Sequence, residues 1–226
     1  MNLILYWIFK IDIFLIKFCR NFWRITDNTM PPTDSRVPTD VPIVWVLGGP
    51  GCGKGTQCDR IVQKYGFTHI STGDLLRDEV ASGSERGQEL TAIMKEGKLV
   101  PTDIVMSLLK EKIVKELPNT KGFLIDGYPR EKEQGIQFER DVAEVSIVLY
   151  FEASDETMTQ RLLKRAETSG RSDDNAETIK KRLATFHQNN DPIIQQYASK
   201  TKTISAERPP DEVFAEVVKY LDELKK

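Results

Sequence analysis

The chain has 226 residues, enough to bury a full hydrophobic core in one domain or in two small ones. Its 32 basic and 34 acidic residues leave a net charge of -2, which excludes the global positive field that nucleic acid or an anionic membrane would require. The three cysteines are an odd number without ligand-like spacing, which argues against a disulfide framework or a zinc site. We therefore expect no nucleic-acid partner and a reducing, cytoplasmic location.

The first thirty residues differ from the rest of the chain. Residues 3–9 and 13–16 are strongly apolar, but Lys10, Asp12 and Lys17 interrupt them, so no continuous apolar stretch of about twenty residues is available to span a bilayer. We do not expect residues 1–29 to bind a membrane, although an interfacial helix or a targeting segment remains open. Met30, followed by a Pro-rich stretch, suggests an alternative start and a linker. We predict a flexible extension over residues 1–41 and one domain over residues 42–226.

From residue 42 onward, short apolar strands alternate with helical stretches, the pattern of an α/β fold with a five-stranded parallel sheet. The predicted strands cover residues 43–48, 68–71, 122–126, 146–152 and 202–206. The predicted helices cover residues 57–64, 104–115, 157–165, 178–197 and 211–224. Because ligands of such sheets bind at the carboxyl ends of the strands, the residues that follow each strand are the candidate site.

A glycine-rich loop follows the first predicted strand, with the sequence GGPGCGKGT over residues 48–56. Its glycines let consecutive N–H groups point inward, and the helix that begins near Lys54 adds a partial positive charge. The general phosphate-loop pattern has Ser or Thr directly after the lysine, whereas here Gly55 takes that place and Thr56 follows. The loop predicts a polyphosphate site.

The second and third strands are also followed by polar residues. Ser71 or Thr72 can cap a helix, and Arg77 lies about one turn further on, where it suits a second phosphate group. Asp126 ends the third strand. Alone it is equally consistent with a helix cap, but beside a phosphate loop we favour a carboxylate that holds Mg²⁺ through water.

Several arginines flank a polar, glycine-containing loop between two predicted helices. Arg161 and Arg165 share one helix face, Arg171 lies in the loop, and Arg182 lies on the following helix. Planar guanidinium groups match the oxygens of a transferring phosphoryl group. If such a loop closes over the site, it also excludes water, the competing acceptor.

Taken together, these motifs closely resemble the nucleoside monophosphate kinases, and most of all the short-lid adenylate kinases. The resemblance spans roughly residues 42–226 in unbroken order. It is carried by GGPGCGKGT at 48–56, STGDLLR at 71–77, KLVP at 98–101, FLIDGYPR at 123–130 and GRSDDN at 170–175.

The resemblance implies Mg²⁺-dependent phosphoryl transfer from ATP to AMP, in a monomer with a monophosphate-binding segment over residues 71–100 and a lid over residues 164–174. It assigns ATP binding to Gly51, Cys52, Gly53, Lys54, Gly55, Thr56, Arg161 and Arg165. It assigns AMP binding to Thr72, Arg77, Lys98, Leu99, Val100, Gly127, Tyr128, Pro129, Arg130, Gln134, Arg171 and Arg182. The catalytic residues that it implies are Lys54, Arg130, Arg165, Arg171 and Arg182.

The main rival within the resemblance is the UMP/CMP kinase group. Those enzymes typically carry Ala in place of Thr72 and Asn near Gln134, so both residues here favour adenine. A glycine that the family places near the ATP base is absent around residues 207–210, which leaves the contacts to that base open. The lid has no cysteine, so no structural zinc is expected. A non-catalytic nucleotide sensor or a GTPase-like switch is the other alternative, but no guanine-reading Asn-Lys-x-Asp motif is present.

Overall fold

The computed structural model describes residues 36–171 and 173–224. The fold is built on a five-stranded, all-parallel sheet with the order β2-β3-β1-β4-β5. Each strand lies within one residue of its predicted bounds, and the strands are β1 Ile43–Gly48, β2 Thr68–Ser71, β3 Phe123–Asp126, β4 Ile147–Glu152 and β5 Thr201–Ser205. The predicted α/β fold class is confirmed.

Eight α-helices flank the sheet in the described part of the chain. They are α1 Lys54–Tyr65, α2 Thr72–Ala81, α3 Glu85–Lys95, α4 Thr102–Glu116, α5 Lys132–Asp141, α6 Asp155–Ser169, α7 Ala176–Gln196 and α8 Pro210–Glu223. Five of them match predicted helices with ends shifted by one to four residues. The sequence predicted only the start of α2, whose cap is Ser71, and it missed α3 and α5. Helix α5 lacks a clear apolar stripe because the residues it buries are Gln134, Gly135 and Phe138.

The sheet is covered on both faces, as expected for a parallel sheet. Alternate residues of β1 point to opposite sides, so Trp45 lies in one core cluster and Val44 and Val46 in the other. Trp45 is fully buried and makes edge-to-face contacts with Phe138 and Tyr197 at centroid distances of 5.6 and 4.9 Å. This packing holds the central strand, and with it the glycine-rich loop at its carboxyl end.

The structure corrects the predicted N-terminal boundary at residue 42. Val37 is 5% exposed, belongs to the core and donates its backbone N–H to Val142 O at 3.0 Å. Arg36 Nη2 donates to Glu139 O and Arg140 O at 2.8 and 2.7 Å. Residues 36–41 therefore belong to the packed unit.

Some of the predictions fall on residues outside the described part. The expectations for residues 1–29, for Met30 and for the linker up to residue 35 all lie there, as does Ser172 within the predicted lid. Among the described helices, none combines the length and the hydropathy that a membrane crossing needs.

Candidate active site

A cleft of about 750 Å³ opens at the carboxyl ends of the strands, a volume within the range of small-molecule sites. Residues from every predicted motif meet at this cleft. Lys54, Arg77, Asp126, Arg130, Arg161, Arg165, Arg171 and Arg182 all line it, together with Gly51, Gly53, Gly55, Thr56, Leu99, Gly127 and Pro129. The expected convergence of one lysine and several arginines on a common cleft is therefore what the fold produces.

The glycine-rich loop curls tightly between β1 and α1. Gly51 and Gly53 have φ angles of +84° and +100°, a region that favours glycine. A side chain at Gly51 would also have to fit within 2.6 Å of Met158 O. Gly53 is the N-cap of α1 and has no side chain to cap it, so the first N–H groups of α1 remain available to an anion.

Lys54 begins α1 and lies back over the loop. Its Nζ donates hydrogen bonds to Gly48 O and Gly49 O at 2.8 and 2.9 Å. The ammonium group is thus held inside the bend of the glycine-rich loop, next to the first N–H groups of α1. This arrangement places one full positive charge where phosphate oxygens would bind.

Cys52 does not face the cleft. It is 1% exposed, packs in the core behind the loop, and offers its carbonyl to Arg161 Nη1 at 3.2 Å. Arg161 Nη2 also donates to Ala206 O at 3.0 Å. Arg161 therefore ties the phosphate loop to the segment after β5, and any contact of Cys52 with a nucleotide would come from its backbone.

Two of the arginines are held by a carboxylate that the sequence analysis did not single out. Arg77 Nε donates to Asp74 Oδ1 at 3.2 Å, Arg77 Nη2 contacts the same oxygen, and Arg171 Nη2 lies 3.5 Å from it. Burial disfavours the Asp74 carboxylate, but the hydrogen bonds from Arg77 and Ser71 prevail and lower its pKa. Asp74 thus joins the start of α2 to the loop that carries Arg171.

A second carboxylate, Asp174, holds two further arginines, Arg165 from the predicted lid and Arg182 from α7. Arg165 donates to it through Nε and Nη2, both at 2.7 Å, and Arg182 Nη1 donates at 3.0 Å. Asp174 is 1% exposed. Although burial works in the opposite direction, this pairing lowers the pKa of Asp174, and the hydrogen bonds to Asp174 raise the pKa of Arg165. The two guanidinium groups are fixed side by side at the cleft.

Arg130 reaches the cleft from the segment after β3. Its Nε donates to Gly127 O at 3.0 Å, and its backbone N–H donates to Gln134 Oε1 at 2.9 Å. The Arg130 side chain is exposed, but the protein packed close to its guanidinium and the positive charges of Arg182 and Arg77 lower its pKa. Such a site gains electrostatic stability when an anion binds.

Seven of the residues expected to bind AMP surround a separate crevice of about 10 Å³. Thr72, Leu99, Val100, Gly127, Tyr128, Arg130 and Gln134 line it together with Leu76 and Val105. Gln134 is 2% exposed, and its Nε2 lies 3.3 Å from Thr102 Oγ1. The crevice is too small for a purine, so these walls must separate for a base to enter. Lys98 lines neither cavity, because its side chain is mostly exposed and pairs with Glu96.

Asp126 ends β3 at the wall of the cleft, across from the glycine-rich loop. Its Oδ1 atom is buried and has no hydrogen-bond partner among the described residues. An unpaired buried carboxylate oxygen is costly, and hard oxygen atoms are the ligands that Mg²⁺ prefers. Asp126, which the sequence analysis predicted to hold Mg²⁺, therefore offers a ligand atom that suits this ion.

Comparison with known proteins agrees with this geometry. The family model "Adenylate kinase" matches residues 46–202. This chain belongs to the adenylate kinase family. Adenylate kinase 1 of Drosophila melanogaster is 56% identical over 190 residues, covering 83% of each chain. Adenylate kinase isoenzyme 1 of Caenorhabditis elegans is 58% identical over 185 residues, 80% of this chain and 88% of its own. The human isoenzyme 1 is 55% identical, covering 81% of this chain and 95% of its own.

These similarities distinguish between the two functions that the sequence analysis left open, adenylate kinase and UMP/CMP kinase. The relatives at 55–58% identity are adenylate kinases of the isoenzyme 1 type, so a UMP/CMP kinase is not favoured. Sequence reasoning missed Asp74 and Asp174 although both lie within the quoted motifs. For Asp74 the available signal was its position three residues before Arg77. Asp174 lies eight residues from Arg182 and nine from Arg165, separations that no local pairing rule covers.

Proposed function

We propose that this adenylate kinase transfers the γ-phosphoryl group of ATP reversibly to AMP and so forms two ADP. An oxygen of the AMP phosphate attacks the γ-phosphorus, and the bond from that phosphorus to the bridging oxygen of ADP breaks. The observation that carries the proposal is the convergence of Lys54 and six arginines on one cleft beside a phosphate loop. Such a reaction needs positioning and charge neutralisation more than a covalent nucleophile.

On the ATP side, the N–H groups from Gly51 to Thr56 would hold the phosphates, and Lys54 would follow the phosphoryl group in flight. On the AMP side, Arg77, Arg130 and Arg171 would bind the acceptor phosphate. The paired guanidinium groups of Arg165 and Arg182 would face the equatorial oxygens of the transferring group, where the transition state spreads its negative charge. Asp74 keeps Arg77 and Arg171 in place, and Asp174 does the same for Arg165 and Arg182.

Asp126 would hold Mg²⁺ through water, beside the β- and γ-phosphates. When bound, that ion neutralises phosphate charge and orients the phosphate chain. The segment after β3 connects the two halves of the site, because Asp126 faces the phosphate loop while Gly127 and Arg130 line the AMP crevice.

For the acceptor base we propose adenine, read by Thr72 and Gln134. Thr72 Oγ1 donates to Asp126 O or Gly127 O, at 3.1 and 3.0 Å, and so fixes the wall of the crevice. Gln134 carries an amide that can both donate to and accept from a purine edge. A site built to pair with one base leaves its polar groups unpaired with another, which supports selection of AMP over CMP and UMP.

The loop between α6 and α7 is the proposed lid, within residues 164–174. It carries Arg171 and ends at Asp174, so its closure would bring positive charge over the phosphates and exclude water. We also propose a cytoplasmic location, which the cysteine usage supports, and a monomer, as the family resemblance implies.

A coupled assay of the purified protein with ATP plus AMP, CMP or UMP tests the function. We expect consumption of AMP, with CMP and UMP far slower. Arg130→Ala should lower kcat by about 10²- to 10³-fold, the usual effect of losing one donor to developing charge. The matched control is Arg140→Ala, because Arg140 is 69% exposed and pairs only with its neighbour Asp141 among the described residues. Nucleotide binding without turnover would instead support a sensor.

A further inference from the structure

Three metal-ligating side chains meet beneath the phosphate loop. Cys58 comes from α1, His69 from β2 and Asp126 from the end of β3. One ligand atom of each lies within 4.8 Å of the others, and His69 Nε2 is 3.8 Å from Asp126 Oδ2. These residues are far apart in the chain and are brought together by the pairing of β2 with β3 and by the packing of α1 on the sheet.

The polar atoms of this cluster lack ordinary partners. Within the described residues, His69 Nε2 and Asp126 Oδ1 are both buried and make no hydrogen bond. Buried polar atoms are nearly always paired, since leaving one unpaired costs about 1–3 kcal/mol. The two unpaired atoms belong to two of the three clustered residues, and this points to a ligand bound between them.

The donor set indicates which ligand it is. One thiol sulfur, one imidazole nitrogen and one carboxylate oxygen suit zinc far better than Mg²⁺ or Ca²⁺, which prefer oxygen alone. Bonds of about 2.0–2.3 Å in tetrahedral zinc sites place the ligand atoms roughly 3.3–3.8 Å apart, so the cluster needs to contract by about 1 Å. His69 and Asp126 line the cleft while Cys58 is fully buried, which leaves access and a fourth position on the cleft side.

We propose that Cys58, His69 and Asp126 form a zinc site whose occupation inhibits the enzyme. The inhibition rests on the proposed function, because Asp126 is also the carboxylate assigned to Mg²⁺. An ion drawn toward Cys58 and His69 takes Asp126 away from the metal-nucleotide complex. Burial raises the pKa of the Cys58 thiol, so the thiol is neutral in the free protein. Zinc binding forms the S–Zn bond and releases that proton to solvent.

Binding can be tested apart from catalysis, without any nucleotide. Co²⁺ is added to the purified protein as a spectroscopic substitute for zinc, and a thiolate-to-cobalt charge-transfer band reports a sulfur ligand. We expect one equivalent of Co²⁺ to give the band and one equivalent of Zn²⁺ to abolish it. Cys58→Ala should remove the band, and His69→Asn should weaken binding by at least about 10- to 100-fold, since losing even an outer group that orients a ligand has this effect.

His187→Asn is the matched control, since His187 is half exposed and pairs with Asp155 on the surface. It should bind Co²⁺ like the wild type. If Cys58→Ala does not fold, as judged by circular dichroism, His69→Asn still decides the matter because His69 is 22% exposed on its side chain and tolerates a polar replacement. No band in the wild type, or an unchanged band in both variants, would overturn the site.

The proposed inhibition of the kinase by zinc needs a second measurement. With Mg²⁺ in large excess over ATP, Zn²⁺ should inhibit the wild type, and at least about 10- to 100-fold more Zn²⁺ should be needed for His69→Asn, in line with its weaker binding. Equal sensitivity of the two proteins would show that zinc acts elsewhere, even if the cobalt band is present. A wild type that binds Co²⁺ through Cys58 but has no kinase activity would refute the proposed function and leave the metal site standing.

Discussion

Asp174 offers a sharp test of how the arginines are held, through the substitution Asp174→Asn. Its carboxylate receives two hydrogen bonds from Arg165 and one from Arg182, and it is 1% exposed. The asparagine has nearly the same shape but loses the charge. Its amide nitrogen is also a donor, which faces guanidinium donors in at least one orientation.

The expected cost follows from these contacts. Breaking a fully buried ion pair costs about 3–5 kcal/mol because an uncompensated charge remains. Arg165 keeps 35% of its side chain exposed and can regain water, and the amide oxygen still accepts one hydrogen bond. We therefore expect a loss of about 2–4 kcal/mol in the free energy of unfolding, or roughly 5–15 °C in Tm for a chain of this size.

The effect on catalysis should be separate from the effect on stability. With Asp174 gone, Arg165 and Arg182 lose their common support, and a displacement of about 1 Å at a reacting centre lowers the rate by about 10²-fold. Urea unfolding and thermal melts measure the first effect. The coupled assay, run well below the variant's Tm, measures the second.

Asp155→Asn is the control, because Asp155 is 57% exposed and its pair with His187 lies on the surface. It should change stability by no more than about 0.5 kcal/mol. If Asp174→Asn is as stable and as active as this control, the carboxylate does not position the arginines and our account of the lid fails.

Three further outcomes follow from packing and charge. Gly51→Ala should lower the free energy of unfolding, measured in urea, by about 2–4 kcal/mol, because its methyl group would lie 2.6 Å from Met158 O at a φ of +84°. The control Gly83→Ala should lower it by only about 1–2 kcal/mol, because Gly83 has a φ of +72° but open space around it. Leu162→Ala, at a fully buried position, should lower the free energy of unfolding by about 2–5 kcal/mol. Arg140 lowers the pKa of Asp141 to about 2, below the value of the unfolded chain, so this carboxylate stabilises the fold above about pH 5 and loses its effect as the pH falls toward 2. The stability difference between the wild type and Asp141→Asn should shrink over that range, and a constant difference would contradict the pairing.

Local sequence patterns were sufficient to predict the strands and the phosphate loop. An apolar run followed by closely spaced glycines encodes its own conformation, because strand burial and a positive φ depend on the residues themselves. The bounds of β1 and β2 were predicted to the residue for this reason. Helices α3 and α5 were missed because their buried faces are short or polar, and their stability comes from contacts with distant elements.

The sequence by itself determined the fold class, the phosphate loop and the supply of cationic side chains, since each depends on residues close together in the chain. Only the tertiary structure decided that Asp74 and Asp174 hold the arginines in two pairs, that Gln134 supports the backbone of Arg130, and that Cys58, His69 and Asp126 share one small volume. These contacts depend on the strand order β2-β3-β1-β4-β5, which joins segments far apart in sequence. Periodicity and spacing describe neighbours along the chain, and they carry no information on which distant side chains the packed sheet brings into contact.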